Sequence, residues 1–172
     1  VLSRLGKYSE AQRSAEKALE FDNAYPHAHD VRGLALRGLG QLDNAMDAFE
    51  RALDINPEFV SAIINKGQTL MTQGEIEFAI VNYEKAIQID PENEDTFNSL
   101  GLALFSKGCF LEAESNLRTA IKINPEFAEA HFNLSRSLLM VGSYEEGWRE
   151  NEWRWKCSEF PSEWRNFPYS RW

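Results

Sequence analysis

The chain has 172 residues, of which 43% are hydrophobic and 26% are charged, and its formal net charge is −9. This composition is typical of a folded protein rather than of a disordered one. The surplus of negative charge argues against a nucleic-acid partner, because binding to a phosphate backbone needs an excess of lysine and arginine. No stretch of the sequence approaches the roughly 20 consecutive apolar residues of a membrane-spanning helix, so no membrane partner is expected.

Glycine, alanine and proline recur along the chain at one fixed interval, the distance from Gly33 to Gly67. Five sets of positions follow this interval: Gly33, Gly67 and Gly101; Gly40, Gly74, Gly108 and Gly142, with Gly6 one interval upstream; Ala11, Ala45, Ala79 and Ala113; Ala18, Ala52, Ala86 and Ala120; and Pro57, Pro91 and Pro125. A fixed interval of this length indicates that each repeat is one structural unit and that successive units stack. It divides the chain into segments 1–25, 26–59, 60–93, 94–127, 128–157 and 158–172.

The first segment, residues 1–25, fits only the end of a first helix followed by one second helix, with Gly6, Ala11 and Ala18 in register. A half-unit of this kind exposes an apolar face on which nothing is stacked. We therefore expect the chain to begin inside a repeat and to be a fragment of a longer array. The cut face is one candidate surface for self-association.

The three full units are each predicted to form two helices, and unit 60–93 shows the pattern. Its first helix is predicted from Val60 to Thr72, and Gly74 ends this helix because glycine accepts the left-handed conformation found at helix C-termini. The second helix is predicted from about Glu75 to Ile89, where apolar residues recur at helical spacing. Pro91 then blocks its continuation.

The glycine in the middle of each first helix needs a packing reason, because it costs about 1 kcal/mol relative to alanine. We predict that Gly67 faces Ala79 of the next helix, so that no side chain keeps the two backbones apart. The substitution Gly67→Leu is therefore expected to destabilise the fold by overpacking.

The repeated positions resemble the signature of the tetratricopeptide repeat, which spreads Trp, Leu-Gly, Tyr, Ala, Phe, Ala and Pro over about 34 residues. The matching residues are, unit by unit, Gly33, Leu36, Ala45, Phe49, Ala52 and Pro57; Gly67, Leu70, Ala79, Tyr83, Ala86 and Pro91; and Leu100, Gly101, Leu104, Ala113, Leu117, Ala120 and Pro125. The resemblance covers about residues 1–157 and implies an all-α fold, a right-handed superhelical stack of antiparallel helix pairs. It also implies a non-catalytic scaffold that binds a peptide or protein segment in its concave groove.

Segment 128–157 is a degenerate unit. It departs from the pattern at Ser135, Gly147, Asn151 and Arg154, where Gly, Ala, Phe and Ala are usual. Ser143 and Glu146 have the spacing of a capping box, so a helix is predicted to start there and to continue to Lys156.

All five tryptophans follow residue 147. Trp148 and Trp155 are seven residues apart, so they are predicted to share one helix face and to dock on the preceding helix pair. The irregular tail, residues 158–172, is predicted to cover the final repeat, and it is the second candidate surface for self-association. A platform for an aromatic ligand is the alternative role of this Trp-rich segment.

The same segment carries a second resemblance. The stretches Tyr144–Trp148, Glu152–Trp155 and Arg165–Pro168, followed by Trp172, resemble the junction in bacterial proteins where tetratricopeptide repeats lead into a two-lobed glycosyltransferase domain. This resemblance implies an alternative function, the non-catalytic N-terminal arm that recruits a partner or substrate for such an enzyme. It assigns no catalytic residue to the chain.

The groove is predicted from the first-helix residues that point away from the packing core. These residues are Val31, Leu34, Ile64, Asn65, Gln68, Met71, Asn98, Leu102, Phe105, Phe132, Asn133, Arg136 and Leu139. Its apolar members favour a surface that a partner, the tail or a second copy of the chain covers.

Two asparagines, Asn65 and Asn133, occupy the same register two units apart, and Asn98 lies one place off. An amide can donate to and accept from a peptide backbone. In the O-linked N-acetylglucosamine transferase branch of the family, asparagines at this register form a ladder that grips a peptide. Here Val31 and Ser99 interrupt the ladder, so the pattern is compatible either with a peptide grip or with solvated amides.

The positions at which chaperone-binding relatives carry the lysine and arginine of a carboxylate clamp hold Asp30, Asp95, Ser99 and Glu129 in this chain. The carboxylate clamp of chaperone-binding relatives is therefore not expected, because carboxylate would meet carboxylate.

No catalytic residue, metal site or cofactor is predicted. The sequence shows neither a phosphate-binding glycine loop nor a paired nucleophile and base, and His27 and His29 diverge at a helix start. Cys109 and Cys157 are interpreted as ordinary thiols in a reducing compartment. With no visible signal peptide, a cytoplasmic location is expected.

Overall fold

The computed structural model describes residues 2–157, with side chains from Leu5 onward. The elements in chain order are α1 (Leu2–Phe21), α2 (Pro26–Gly38), α3 (Leu42–Ile55), α4 (Val60–Gln73), α5 (Ile76–Ile89), α6 (Glu94–Lys107), α7 (Phe110–Ile123), α8 (Ala128–Met140), α9 (Tyr144–Asn151) and a 3-10 helix (Glu152–Lys156). No β-strand occurs between residues 2 and 157. The predicted all-α fold is therefore confirmed, whereas the predictions for residues 158–172, including Trp172 and the stretch 165–168, lie outside the described residues.

The helices pack as stacked pairs. Helices α2 and α3, α4 and α5, α6 and α7, and α8 and α9 contact each other within a pair, and each first helix also contacts the second helix of the preceding pair. The first helices α2, α4, α6 and α8 additionally contact one another in sequence, which forms one continuous face of the stack.

Glycine ends the first helices as predicted. Gly74 and Gly108 follow α4 and α6 with φ angles of 85° and 88°, a conformation that residues with a side chain rarely adopt. Gly6 differs, because it lies within α1, which runs without interruption from Leu2 to Phe21. The described residues therefore lack the separate end of a first helix that we expected before Gly6.

Large side chains of the second helices pack against the glycines in the middle of the first helices. A Cβ atom on Gly67 would lie 2.6 Å from the Tyr83 ring, and one on Gly33 would lie 2.5 Å from the Phe49 ring. Leu117 fills the same place beside Gly101. The predicted approach of Gly67 to Ala79 has its equivalent at Gly101, where a Cβ would lie 3.3 Å from the backbone oxygen of Ala113, but the nearest neighbour of each glycine is the buried side chain sixteen positions later.

The last helix pair uses polar contacts at the same place. Ser135 occupies the position that glycine holds in the other pairs, and Asn151 occupies the position of the large side chain that packs against that glycine. Asn151 Nδ2 donates a hydrogen bond of 3.2 Å to Ser135 Oγ. Gly147 lets α9 approach α8 closely, because a Cβ there would lie 2.9 Å from Leu139 Cδ2. The departures of this unit from the repeat pattern thus form one alternative packing arrangement.

Between residues 2 and 157, no helix combines the length and the hydrophobicity needed to cross a lipid bilayer. The described residues also contain no group of three or more His, Cys, Asp or Glu side chains arranged to hold a metal ion.

Candidate functional site

The predicted groove residues all lie on α2, α4, α6 and α8, the helices that form the continuous face of the stack. Stacked helix pairs coil into a superhelix with a concave side, and we predict that this face lines it. Asn65 is buried, Val31 is exposed, and the other predicted groove residues are half-buried. Three seams run across this face, between α2 and α4, between α4 and α6, and between α6 and α8.

The first seam, between α2 and α4, is polar. Asp30 accepts a hydrogen bond of 2.8 Å from Asn65 Nδ2 and one of 2.7 Å from Ser61 Oγ. Seven residues further along α2, Arg37 Nη1 donates to Gln68 Oε1 at 2.6 Å. These contacts tie α2 to α4 through side chains 31 to 35 residues apart in sequence.

One end of the first seam opens into a shallow depression with a volume of about 700 Å³. Its walls include Tyr8 of α1, Leu34 and Arg37 of α2, and Gln68 and Thr72 of α4. Tyr8 is not among the predicted groove residues. The first segment contains only part of a unit, so the sequence pattern assigned no groove-facing first helix to it. The depression extends this face of the stack toward α1.

The third seam, between α6 and α8, repeats the geometry of the first. Asn133 Nδ2 donates a hydrogen bond of 2.9 Å to Asn98 Oδ1, and the Arg136 guanidinium lies 4.5 Å from the centre of the Phe105 ring. Asn98 and Asn133 follow Asp30 and Asn65 by two repeat intervals. Both outer seams are therefore bridged by side chains at equivalent positions.

The middle seam, between α4 and α6, has different residues at these positions. Ile64 and Ser99 replace the hydrogen-bonded pair, and Met71 and Leu102 replace the pair that contains arginine. Ile64 and Met71 are partly buried against the core cluster that contains Tyr83. We define the middle seam as Ile64, Met71, Ser99 and Leu102, and its surface is mainly apolar.

Asn65 and Asn133, for which the sequence allowed either a peptide grip or solvated amides, bridge neighbouring helices in the structure. Asn65 and Asn133 both donate to a side chain of the preceding first helix. Their amide donors thus stabilise the stack. Asn65 follows Asp30 by 35 residues, and Asn133 follows Asn98 by the same number. This spacing was the sequence signal for the bridges, and it can be recognised only when neighbouring first helices are aligned.

The C-terminal helices are held by a cluster around His131 of α8. Its Nδ1 lies 2.5 Å from Glu150 Oε2, and its Nε2 lies 3.0 Å from the carbonyl oxygen of Pro125. The Trp153 ring stacks on the imidazole at 3.9 Å with an angle of 3° between the planes. Both ring nitrogens face oxygen acceptors, so the imidazole can donate on both sides when it is protonated.

The predicted docking of Trp148 and Trp155 is wrong. Trp148 is 61% exposed and Trp155 is 40% exposed, whereas Trp153 makes the contact with α8. The α9 residue that packs against α8 is Gly147, so Trp148, the next residue along the helix, points about 100° away from this contact. The 3-10 helix after Asn151 then brings Trp153, and not Trp155, onto α8.

The capping box predicted from Ser143 and Glu146 is not formed, although α9 does begin at Tyr144. Ser143 makes no side-chain cap hydrogen bond. Glu146 instead accepts two hydrogen bonds of 2.9 Å from Arg118 of α7, and these bonds lower the pKa of the Glu146 carboxyl. A bidentate pair with arginine is stronger than a neutral hydrogen bond, which explains why the glutamate turns to α7.

Replacing Trp153 by alanine is expected to lower the free energy of unfolding of the last helix pair by about 1–2 kcal/mol, because the stack on His131 and its buried area are lost. Trp148→Ala is the matched control, and its exposed ring should leave stability within about 0.5 kcal/mol of wild type. Urea unfolding followed by circular dichroism measures both. Equal losses in the two variants would contradict the assigned contact.

Known proteins share this architecture. Family profiles described as "Tetratricopeptide repeat" match residues 26–59 and 98–147, and one described as "TPR repeat" matches residues 67–108. No curated protein matches the chain.

Solved structures with the same fold include MamA from Desulfovibrio magneticus RS-1, with 20% identity, a TM-score of 0.75 and coverage of 89% of each chain. PilF from Pseudomonas aeruginosa has 20% identity and a TM-score of 0.80, over 88% of this chain and 69% of that chain. YrrB, described as a TPR protein with an unusual peptide-binding site, has 20% identity and a TM-score of 0.68, over 93% and 82%. The matched repeats and the stacked helix pairs together show that the chain belongs to the tetratricopeptide repeat family.

Proposed function

We propose that the chain is a non-catalytic scaffold that holds a peptide or protein segment on its concave face. The observation that carries this proposal is the middle seam. Its apolar residues Ile64, Met71 and Leu102 are half-buried, while the seams on both sides are closed by hydrogen bonds or by a stacked arginine. An apolar strip between polar borders suits an extended segment that places a side chain on it.

The description of YrrB as a peptide-binding protein of the same fold supports the proposal by analogy. The predicted groove residues on either side of the middle seam, among them Gln68, Asn98 and Phe105, would border the bound segment. In this function the chain binds and positions the peptide or protein segment, and it needs no cofactor.

The test is a selection of random dodecapeptides displayed on phage, with the chain as bait. Peptides selected on wild type should lose at least about tenfold in affinity for Leu102→Glu, because a charge in the seam opposes burial of an apolar side chain. Leu111→Glu is the matched control, since Leu111 lies on the second helix α7 and is 71% exposed. Equal binding by both variants, or failure to select any peptide, would overturn the proposal.

The alternative function, the recruiting arm of a bacterial glycosyltransferase, depends on the sequence resemblance of residues 144–172. The described part of this segment forms α9 and the 3-10 helix. Its test is the coding sequence downstream of Trp172: a nucleotide-sugar-binding domain there supports the alternative, and any other continuation removes it.

A further inference from the structure

We infer that the segment held on the concave face is basic as well as apolar, with a lysine or arginine that lies between Asp95 and Glu129 and an apolar side chain on the middle seam. This inference rests on the proposed function and adds the chemistry of the partner.

Asp95 and Glu129 lie at equivalent positions, each the second residue of its helix, in α6 and α8. These helices are neighbours on the concave face and are joined by the hydrogen bond between Asn98 and Asn133. Within residues 2–157, neither carboxylate has a cation within salt-bridge distance. The edge of the groove beside α6 and α8 is therefore negative and not neutralised by the described part of the chain.

The surroundings of Asp95 favour a cation. Although its side chain reaches solvent, partial desolvation raises the pKa of its carboxyl, and the nearby carboxylates of Glu94 and Glu129 raise it further. An ionised Asp95 is thus held among groups that oppose its charge. The helix N-terminus offsets part of this cost, and a cation between Asp95 and Glu129 would reduce the repulsion between them.

The cations of the groove lie elsewhere. Arg37 is in the last turn of α2 and donates to Gln68, and Arg136 lies on the Phe105 ring in the second half of α8. The net charge of −9 also attracts basic partners from a distance. Charge complementarity along the edge at Asp95 and Glu129 therefore selects a basic side chain.

The spacing within α6 sets the spacing in the partner. Leu102 follows Asp95 by seven residues, which is about 10 Å along a helix. An extended chain advances about 3.3 Å per residue. The basic residue should therefore lie within about three positions of the apolar residue that occupies the middle seam.

The same phage selection tests this inference when it is repeated with the double variant Asp95→Asn, Glu129→Gln. Peptides selected on wild type should be enriched in lysine or arginine within three positions of an apolar residue. Their affinity should fall by about fivefold for the double variant and should weaken as salt is raised. The control pair Glu112→Gln, Glu145→Gln removes two exposed carboxylates from the second helices α7 and α9 and should bind as wild type does.

The failures are distinguishable. Suppose that the selected peptides lose affinity for Leu102→Glu. If they are then not enriched in lysine or arginine, or if they bind the double variant as tightly as wild type, this inference is overturned and the proposed function stands. Selection of no peptide overturns both. Thermal melts of every variant establish that the changes in binding are not caused by unfolding.

Discussion

Replacing Gly67 by leucine is expected to lower the free energy of unfolding by about 3 kcal/mol, because the first atom of the new side chain would already overlap the Tyr83 ring. A Cβ on Gly67 would lie 2.6 Å from Tyr83 Cε1. The ring cannot withdraw easily, because Tyr83 is 1% exposed and packs beside Ala79, which is fully buried. Thermal or urea unfolding followed by circular dichroism measures the loss.

Gly6→Leu is the matched control for this prediction. Gly6 also lies inside a helix, but a Cβ there would have no atom within 4 Å. The control should be neutral or stabilising by up to about 1 kcal/mol, because leucine favours the helix more than glycine does. A melting curve of Gly67→Leu that matches wild type would contradict the packing described for the first helices.

Replacing Phe49 by alanine is expected to cost about 3–5 kcal/mol, because it removes a fully buried ring and leaves a cavity. Phe49 is 0% exposed and packs with Leu36, Ala45 and Ala48 against Gly33. In a stack of repeats the damage should be concentrated in the affected pair. Amide hydrogen exchange should therefore accelerate first in α2 and α3.

Phe78→Ala makes the same chemical change at a residue of α5 that is 63% exposed. Its cost should stay within about 0.5 kcal/mol. Comparable losses of stability for Phe49→Ala and Phe78→Ala would show that the ring beside Gly33 is not the main packing contact of its pair.

Much of the fold was predictable because it depends on local and periodic features. The fixed repeat interval identified the helix pairs, and Gly74 and Gly108 marked helix ends that require a left-handed conformation. The predicted groove residues lie on α2, α4, α6 and α8, the helices that contact one another along one side of the stack. Their role in binding remains a proposal.

The tertiary structure decided which side chains meet. The amides of Asn65 and Asn133 bridge neighbouring first helices, and Tyr83 rather than Ala79 fills the space at Gly67. Trp153 and not Trp148 docks on α8, because Gly147 is the α9 residue that faces α8 and Trp148 follows it on the exposed side.

The sequence by itself determined the repeat, the helices and their shared face, because each depends on the conformations of nearby residues and on a spacing that recurs. Only the tertiary structure decided the partners of Asp30, Gly67 and His131. These partners belong to other elements of the stack, and their contacts depend on how neighbouring helices are rotated and spaced.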